Sequence, residues 1–239
     1  MEVPGKLTSL SIKKGKTAKF AVTMAEGDTL SACKSSKSSI VKVTAVDKKK
    51  GTVSLKALKN GTAKITISLS SGKNRVYTVK VTSGTVKTTK VTVSSKKVTL
   101  AKGKTMLLKT ELKPFTSTQK VTYKSSNKKV ATVTSSGKIK AIAPGTATIT
   151  AISGTKKATC KVTVTGIANV KSSVTVKKNK TITLKPKLYG ITAKAVYTSS
   201  NTKVVTVTAN GKMKGIKKGT AVITVKAGNY SVKCKVTVK

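Results

Sequence analysis

Residues 125 to 150 read SSNKKVATVTSSGKIKAIAPGTATIT, and residues 199 to 224, displaced by 74 positions, read SSNTKVVTVTANGKMKGIKKGTAVIT. Both keep Ser-Ser-Asn, a Val-x-Val run, a Gly-Lys step, then Gly-Thr-Ala and an Ile-containing run. Self-similarity at a fixed spacing marks a repeat architecture, in which each copy is one folding unit. A weaker copy lies upstream as SSKSSIVKVTAVDKKKGTVSLKALKNGTAKITI, 35 to 67, with six more residues between its Ser36 and Gly61 than separate Ser126 and Gly145. Surface turns tolerate such extra residues, so the six are expected in a turn.

Each copy has a leading and a closing part. The leading segments are KKGKTAKFAVTM (13 to 24), AKGKTMLLKTEL (101 to 112) and KKNKTITLKPKL (177 to 188); the closing ones are VYTVKVT (76 to 82), ATCKVTV (158 to 164) and VKCKVTV (232 to 238). Three units follow, 1–83, 84–165 and 166–239, with boundaries near Ser83-Gly84 and Thr165-Gly166. Linkers of a residue or two imply neighbours placed end to end, in an elongated array.

Within a unit the pattern has period two. In Cys160-Lys161-Val162-Thr163-Val164 apolar and polar side chains alternate, as a half-buried strand requires. Ala147, Ile149 and Ala151 alternate with Thr146, Thr148 and Thr150 in the same way. About seven such strands per unit, with turns every eight to twelve residues, predict an all-β fold of antiparallel two-sheet sandwiches. Aromatic residues are only 3% of the chain, so its cores must be built from Val, Ile, Leu and Ala.

The order Gly-Lys-Thr, Tyr-x-Ser-Ser-Asn, Val-Ala-Thr-Val, Ser-x-Gly-Lys-Ile, Pro-Gly-Thr-Ala-Thr-Ile-Thr-Ala and closing Val-Thr-Val resembles the bacterial immunoglobulin-like group 2 (BIG2) domain. The unit 84–165 matches throughout, 166–239 matches well, and 1–83 matches at its anchors. The resemblance implies three immunoglobulin-like sandwiches in tandem, on a bacterial surface or secreted protein, serving as spacer or adhesive stalk without catalytic residues. Where the family usually carries Trp before Ser-Ser-Asn, this chain has Tyr123, Tyr197 and, in the first unit, Cys33. A differently packed first core is therefore expected.

Chemistry-bearing residue types are scarce. Gly15-Lys16-Thr17 and Gly103-Lys104-Thr105 lack the earlier glycine and the following helix of a phosphate-binding loop, and read as turns entering strands. Histidine is absent, which removes the commonest general base and metal ligand. Lys124 beside Ser125 and Ser126 is one lysine among many, and a lysine base must be desolvated to work. Ser125, Ser126 and Asn127 are instead expected to cap a tight turn, with Tyr123 and Tyr197 reaching the core and Val130 and Val133 beginning the next strand.

Glu2, Glu26, Asp28, Asp47 and Glu111 are all the carboxylates, too few for a glycosidase pair or a calcium cage. Calcium binding, known in some members of the resembled family, is not carried over. Glu26-Gly27-Asp28 reads as a solvated loop. Cys160 and Cys234 occupy equivalent positions, with Val79 expected in that place in the first unit, a small apolar slot. Cysteines in separate sandwiches cannot be bridged at disulfide distance, so three free thiols are expected. No zinc-ligand spacing occurs. No catalytic, cofactor-binding or metal residue is assigned.

Charge is the extreme feature: 50 Lys+Arg against 5 Asp+Glu give +45, of which the three units carry +13, +16 and +16. Arg75 is the only arginine. Nucleic-acid readers use arginine forks and aromatic platforms, so no sequence-specific nucleic-acid partner is expected, although salt-sensitive nonspecific binding is. An anionic matrix fits better: teichoic acid, acidic polysaccharide or a host glycosaminoglycan. No apolar run reaches membrane-spanning length, and MEVPGKLTSL lacks the apolar core of a secretory signal. The sequence is thus expected to be cytosolic or an excised segment of a longer secreted protein. As alternatives, these units serve a larger secreted carbohydrate-active or wall-associated enzyme, or the chain binds nucleic acid nonspecifically.

Overall fold

A computed structural model describes the backbone of residues 2–3 and all of residues 9–239. Residues 4–8 of the stretch read above for a secretory signal, and the Glu2 side chain, lie outside the described residues. The described chain is all-β, and the alternation read from the sequence is the alternation of burial along its strands. In Gly145–Ser153, for example, Ala147, Ile149 and Ala151 are buried while Thr146 is exposed.

The first repeat contains β1 (Glu2–Val3), β2 (Ser9–Lys13), β3 (Thr17–Val22), β4 (Leu30–Ser35), β5 (Val41–Asp47), β6 (Thr52–Ala57), β7 (Gly61–Leu69) and β8 (Asn74–Thr82). One sheet runs β1-β3-β6-β5 and the other β2-β8-β7-β4. The second repeat contains β9 (Lys90–Val93), β10 (Lys97–Ala101), β11 (Thr105–Leu107), β12 (Thr110–Lys113), β13 (Thr122–Ser125), β14 (Ala131–Val133), β15 (Lys138–Ala141), β16 (Gly145–Ser153) and β17 (Lys156–Ala168). There β10-β17-β16-β13 form one sheet and β11-β15-β14 another, with β12 on β9. The third repeat adds β18 (Ser173–Val176), β19 (Thr181–Thr183), β20 (Lys187–Tyr189), β21 (Val196–Ser199), β22 (Val205–Val207), β23 (Lys212–Gly215), β24 (Gly219–Ala227) and β25 (Tyr230–Val238). Its sheets are β18-β25-β24-β21 and β19-β23-β22. Most neighbours are antiparallel, but in every repeat an early strand lies parallel to the closing one: β2 on β8, β10 on β17 and β18 on β25.

By contacts the chain forms two compact units. One comprises the residues up to Thr92 with Thr110–Thr122 and Ile152–Ala158; the other comprises Val93–Lys109, Tyr123–Ala151 and Thr159–Lys239. The first is built on a core that includes Phe20, Leu55, Ile65, Ile67 and Val79, with Phe115 packed against it. Within it Thr116 also donates its hydroxyl hydrogen to the Ser11 carbonyl, 2.6 Å. The second unit holds two cores, one around Leu108, Ile139, Ile149 and Cys160, the other around Met213, Ile223, Cys234 and Val236.

Two sequence expectations change. The six extra residues of the first repeat were expected in a turn, yet they lengthen a hairpin. β5 and β6 have 7 and 6 residues, where β14 and β15 have 3 and 4, and the turn between them is four residues long in both repeats. A register shift between Val43 and Ala45 marks a bulge in the longer ladder. Paired strands satisfy the added backbone groups internally, which a longer loop would leave to water. The second change is at Thr165-Gly166, where no linker exists. β17 runs unbroken for 13 residues, and its end pairs with β20 as Gly166 to Tyr189. The Thr165 and Tyr230 hydroxyls share a 2.6 Å hydrogen bond beside it.

Candidate functional surface

The Ser-Ser-Asn cluster is spent on the fold. Ser125 donates its hydroxyl hydrogen to the Ala131 carbonyl at 2.6 Å and accepts the Asn127 N–H; Asn127 Oδ1 accepts the Lys129 N–H. Ser126 Oγ accepts the Thr148 N–H at 2.8 Å while its own N–H donates to the Thr148 carbonyl, fastening the turn to β16. Ser199, Ser200 and Asn201 repeat every one of these bonds with Val205, Val222 and Lys203. In the first repeat Ser36 bonds Lys64 both ways and Ser35 accepts the Lys37 N–H. The turn then delivers Val130, buried, one residue ahead of β14, rather than within it as expected.

Such a bond contributes about 1 kcal/mol when its loss leaves the partner to water. Ser126→Ala and Ser200→Ala are therefore each expected to lower the stability of their own repeat by about that much, read from urea unfolding midpoints. Ligand affinity of the folded chain should stay unchanged. A loss of affinity without a loss of stability would return the cluster to chemistry.

The Gly-Lys-Thr stretches are turns. Lys16, Lys104 and Lys180 donate their N–H groups three residues back to Lys13, Ala101 and Lys177, and strands follow. Gly15 and Gly103 have φ of 79° and 83°, and Asn179 takes 60° in the third repeat. Asparagine tolerates that left-handed conformation, so the position asks for a backbone shape rather than a phosphate.

Asp28 is half-buried and not idle. Its Oδ1 accepts from the Ser70 hydroxyl at 2.8 Å and from the Ser71 and Thr29 N–H groups, and its Oδ2 accepts from the Ser71 hydroxyl at 2.8 Å. The loop that was expected to be merely solvated is thus tied to the β7–β8 turn. The Ser71 and Ser70 hydroxyl bonds, with the backbone N–H groups, hold this carboxyl below its ordinary value of 3.8. A carboxyl whose folded value is depressed stabilises above the unfolded value and loses that contribution as pH falls through the folded one. Stability of the first repeat should therefore decline on acidification below about pH 4, and Asp28→Asn should flatten that decline in a pH series of thermal melts. An unchanged profile would remove Asp28 from the account.

All three cysteines are free thiols, Cys33 half-buried and Cys160 and Cys234 fully buried. Burial pushes all three thiols up, Cys33 to about 11. Strand register corrects one equivalence. Cys234 faces Ile223 on β24, and the matching partner in the first repeat, Ile65, faces Tyr77. Val79 instead faces Ala63 and corresponds to Val236, which faces Ala221. Tyr77, not Val79, therefore holds the cysteine's place. Conversely Cys33 faces Ile67, as Tyr197 faces Val225, so it does hold the tyrosine's place. The first repeat has moved its aromatic ring across the sheet, and the expected difference in core packing has this form. Tyr77 is buried and meets Phe20 edge-on at 6.0 Å; Phe20 meets Phe115 at the same distance. Tyr123 and Tyr197 are only half-buried against their cores rather than within them.

The lysines form outward rows. Across β11, β15 and β14, Thr105, Lys140 and Thr132 stand in register, and across β19, β23 and β22, Thr181, Lys214 and Thr206 do. The corresponding row of the first repeat is Thr17, Lys56 and Lys42, so two lysines lie directly opposite. Lys97 and Lys161 are likewise opposite on β10 and β17. Like charges facing across strands destabilise a sheet unless something anionic lies over them. Among the described residues, no group of three His, Cys, Asp or Glu side chains gathers in a metal-binding arrangement, and no helix is long and apolar enough to cross a membrane.

Several solved structures are similar to this chain. One is the S-layer protein rSbsC(31-844), at 20% identity over 90% of this chain and 36% of that one, with a TM-score of 0.29. Domains 4 and 5 of the S-layer protein SbsC share 28% identity over 50% of this chain and 76% of theirs, TM-score 0.28. An endo-fucoidan hydrolase of glycoside hydrolase family 107 shares 13% over 96% of this chain and 42% of its own, TM-score 0.28. The chain thus spans about a third of the longer S-layer structure. No curated protein matches it. The family model of the bacterial Ig-like domain (group 2) matches residues 87–162 and again 163–238, and with strands, turns and capping bonds repeated in step, the chain belongs to that bacterial immunoglobulin-like family.

Proposed function

We propose that this chain is a non-catalytic, extracellular segment of a bacterial surface or secreted protein. In this reading 1–83, 84–165 and 166–239 are three immunoglobulin-like modules that act as a spacer stalk and as an adhesive surface for anionic polymers, of the cell wall or of host glycans. Family membership supports the extracellular bacterial setting. The observation that carries the adhesive part is the pairing of lysine with lysine at Lys42–Lys56 and Lys97–Lys161, in a chain with only five carboxylates to offset fifty cations. A polyanion laid over these pairs converts a repulsion into an attraction in the first and second repeats.

Retention on immobilised heparin or teichoic acid tests the reading. Elution is expected well above the ionic strength of about 0.15 M at which charges farther apart than about 8 Å are screened. Elution at or below that strength would leave the lysines as solubilising charges alone.

A further inference from the structure

The second repeat has a cleft of about 480 Å³ between β13 and β14, lined by Tyr123, Lys124, Ser125, Lys128, Thr132 and Val133. That volume lies within the range of clefts that take small ligands, about 300 to 1,000 Å³. Both strands are the last in their sheets, so the cleft opens where the sandwich is unsealed. Its wall combines the body of a half-buried phenol ring, the Thr132 hydroxyl and two exposed lysines.

The third repeat supplies an internal comparison. Shifting the lining by 74 positions gives Tyr197, Thr198, Ser199, Thr202, Thr206 and Val207. Four of the six residue types are unchanged, and the hydrogen bonds of Ser125 recur at Ser199. Lys124 and Lys128 alone are replaced, both by threonine. The fold is therefore built equally well without these two cations, and their presence in the second repeat needs another reason. We propose that this cleft binds an acidic saccharide unit: Lys124 and Lys128 take its carboxylate, and the sugar ring lies in the cleft between Tyr123 and Thr132. The proposal rests on the anionic-polymer reading above and places a discrete site within it. Ammonium–carboxylate hydrogen bonds are stronger than neutral ones and supply the preference for an acidic unit. The phenol, whose ring covers Gly137 and is half-buried, is no open platform for a nucleobase, but its apolar body suits a saccharide.

The test is titration of the full chain with trigalacturonate, followed by amide chemical shifts, with maltotriose and inorganic phosphate as the other probes. Trigalacturonate is expected to move signals of residues 123 to 133, and K124T/K128T to weaken its binding about tenfold while leaving the unfolding midpoint unchanged. K217T/K218T, which removes two exposed lysines elsewhere, should change affinity less than about twofold. Equal weakening by both double variants would mean diffuse charge, which overturns the cleft and leaves the anionic-polymer reading standing. Equal response to maltotriose, or phosphate binding as tight as trigalacturonate, would overturn the acidic-saccharide assignment. Absence of trigalacturonate binding overturns the cleft, and if heparin also fails to retain the chain, the underlying reading falls with it.

Discussion

Gly137→Ala is expected to cost the second repeat about 3 kcal/mol, against about 1 kcal/mol for Gly103→Ala. Both glycines have φ of 83°, so both substitutions meet the same left-handed penalty of about 1 to 2 kcal/mol at most. Their surroundings differ. A Cβ on Gly103 meets nothing within 4 Å, whereas one on Gly137 stands 2.8 Å from the Leu108 carbonyl oxygen and 2.9 Å from Cζ and Oη of Tyr123. The Leu108 backbone cannot retreat, because its N–H donates to the Gly137 carbonyl at 3.0 Å. Overpacking of this kind costs about 1 to 3 kcal/mol beyond the backbone term. Gly211→Ala should behave like Gly137→Ala, since its Cβ lies 2.7 Å from the Leu184 carbonyl and 2.9 Å from the Tyr197 ring. The corresponding Gly51 lies under the terminal methyl of Met24, a flexible side chain, and its substitution should cost less. Urea unfolding of the four variants ranks them; equal losses at Gly103 and Gly137 would refute the role given to the tyrosine lid.

The second large effect concerns the ring that changed strands. Tyr77→Cys, which installs the residue of the other two repeats, should destabilise the first repeat by about 3 kcal/mol, since aromatic truncation in a core costs about 3 to 5. It empties the place opposite Ile65 and removes the edge contact to Phe20. Adding Cys33→Tyr restores the arrangement of the other repeats, with a ring opposite Ile67 as Tyr197 is opposite Val225. The double variant is therefore expected to recover about 1 kcal/mol or more relative to Tyr77→Cys alone. Losses that simply add, measured as a double-mutant cycle by denaturant unfolding, would show that the two places do not share one core requirement.

Much of this fold can be read from the alternation in segments such as Cys160 to Val164, because a strand with one buried face writes its orientation into every second residue. The Ser-Ser-Asn turn was legible for a similar reason: its side chains bond locally, within six residues, apart from the single tie from Ser126 to Thr148. What escaped reading depends on partners distant in sequence. Val79 and Tyr77 both alternate correctly on β8, and only the register against Ala63 and Ile65 shows which one matches Cys234. Gly166 looks like a linker residue by type, yet its pairing with Tyr189 makes it part of a strand. The lysines of the β13–β14 cleft were indistinguishable from the rest by composition, and only the joining of two sheet edges gathers them around one space.

The parallel strand pairs have a mechanical consequence. In each repeat a strand near the start lies alongside the last one in the same direction, over five positions for β2 on β8 and β10 on β17 and four for β18 on β25. Tension along the chain draws such partners past each other lengthwise, so their hydrogen bonds bear the load together in shear rather than opening one after another like a zip. Because β17 passes directly from the second repeat's ladder into the third repeat's pairing with β20, force is handed on through continuous strand, with no slack to take up.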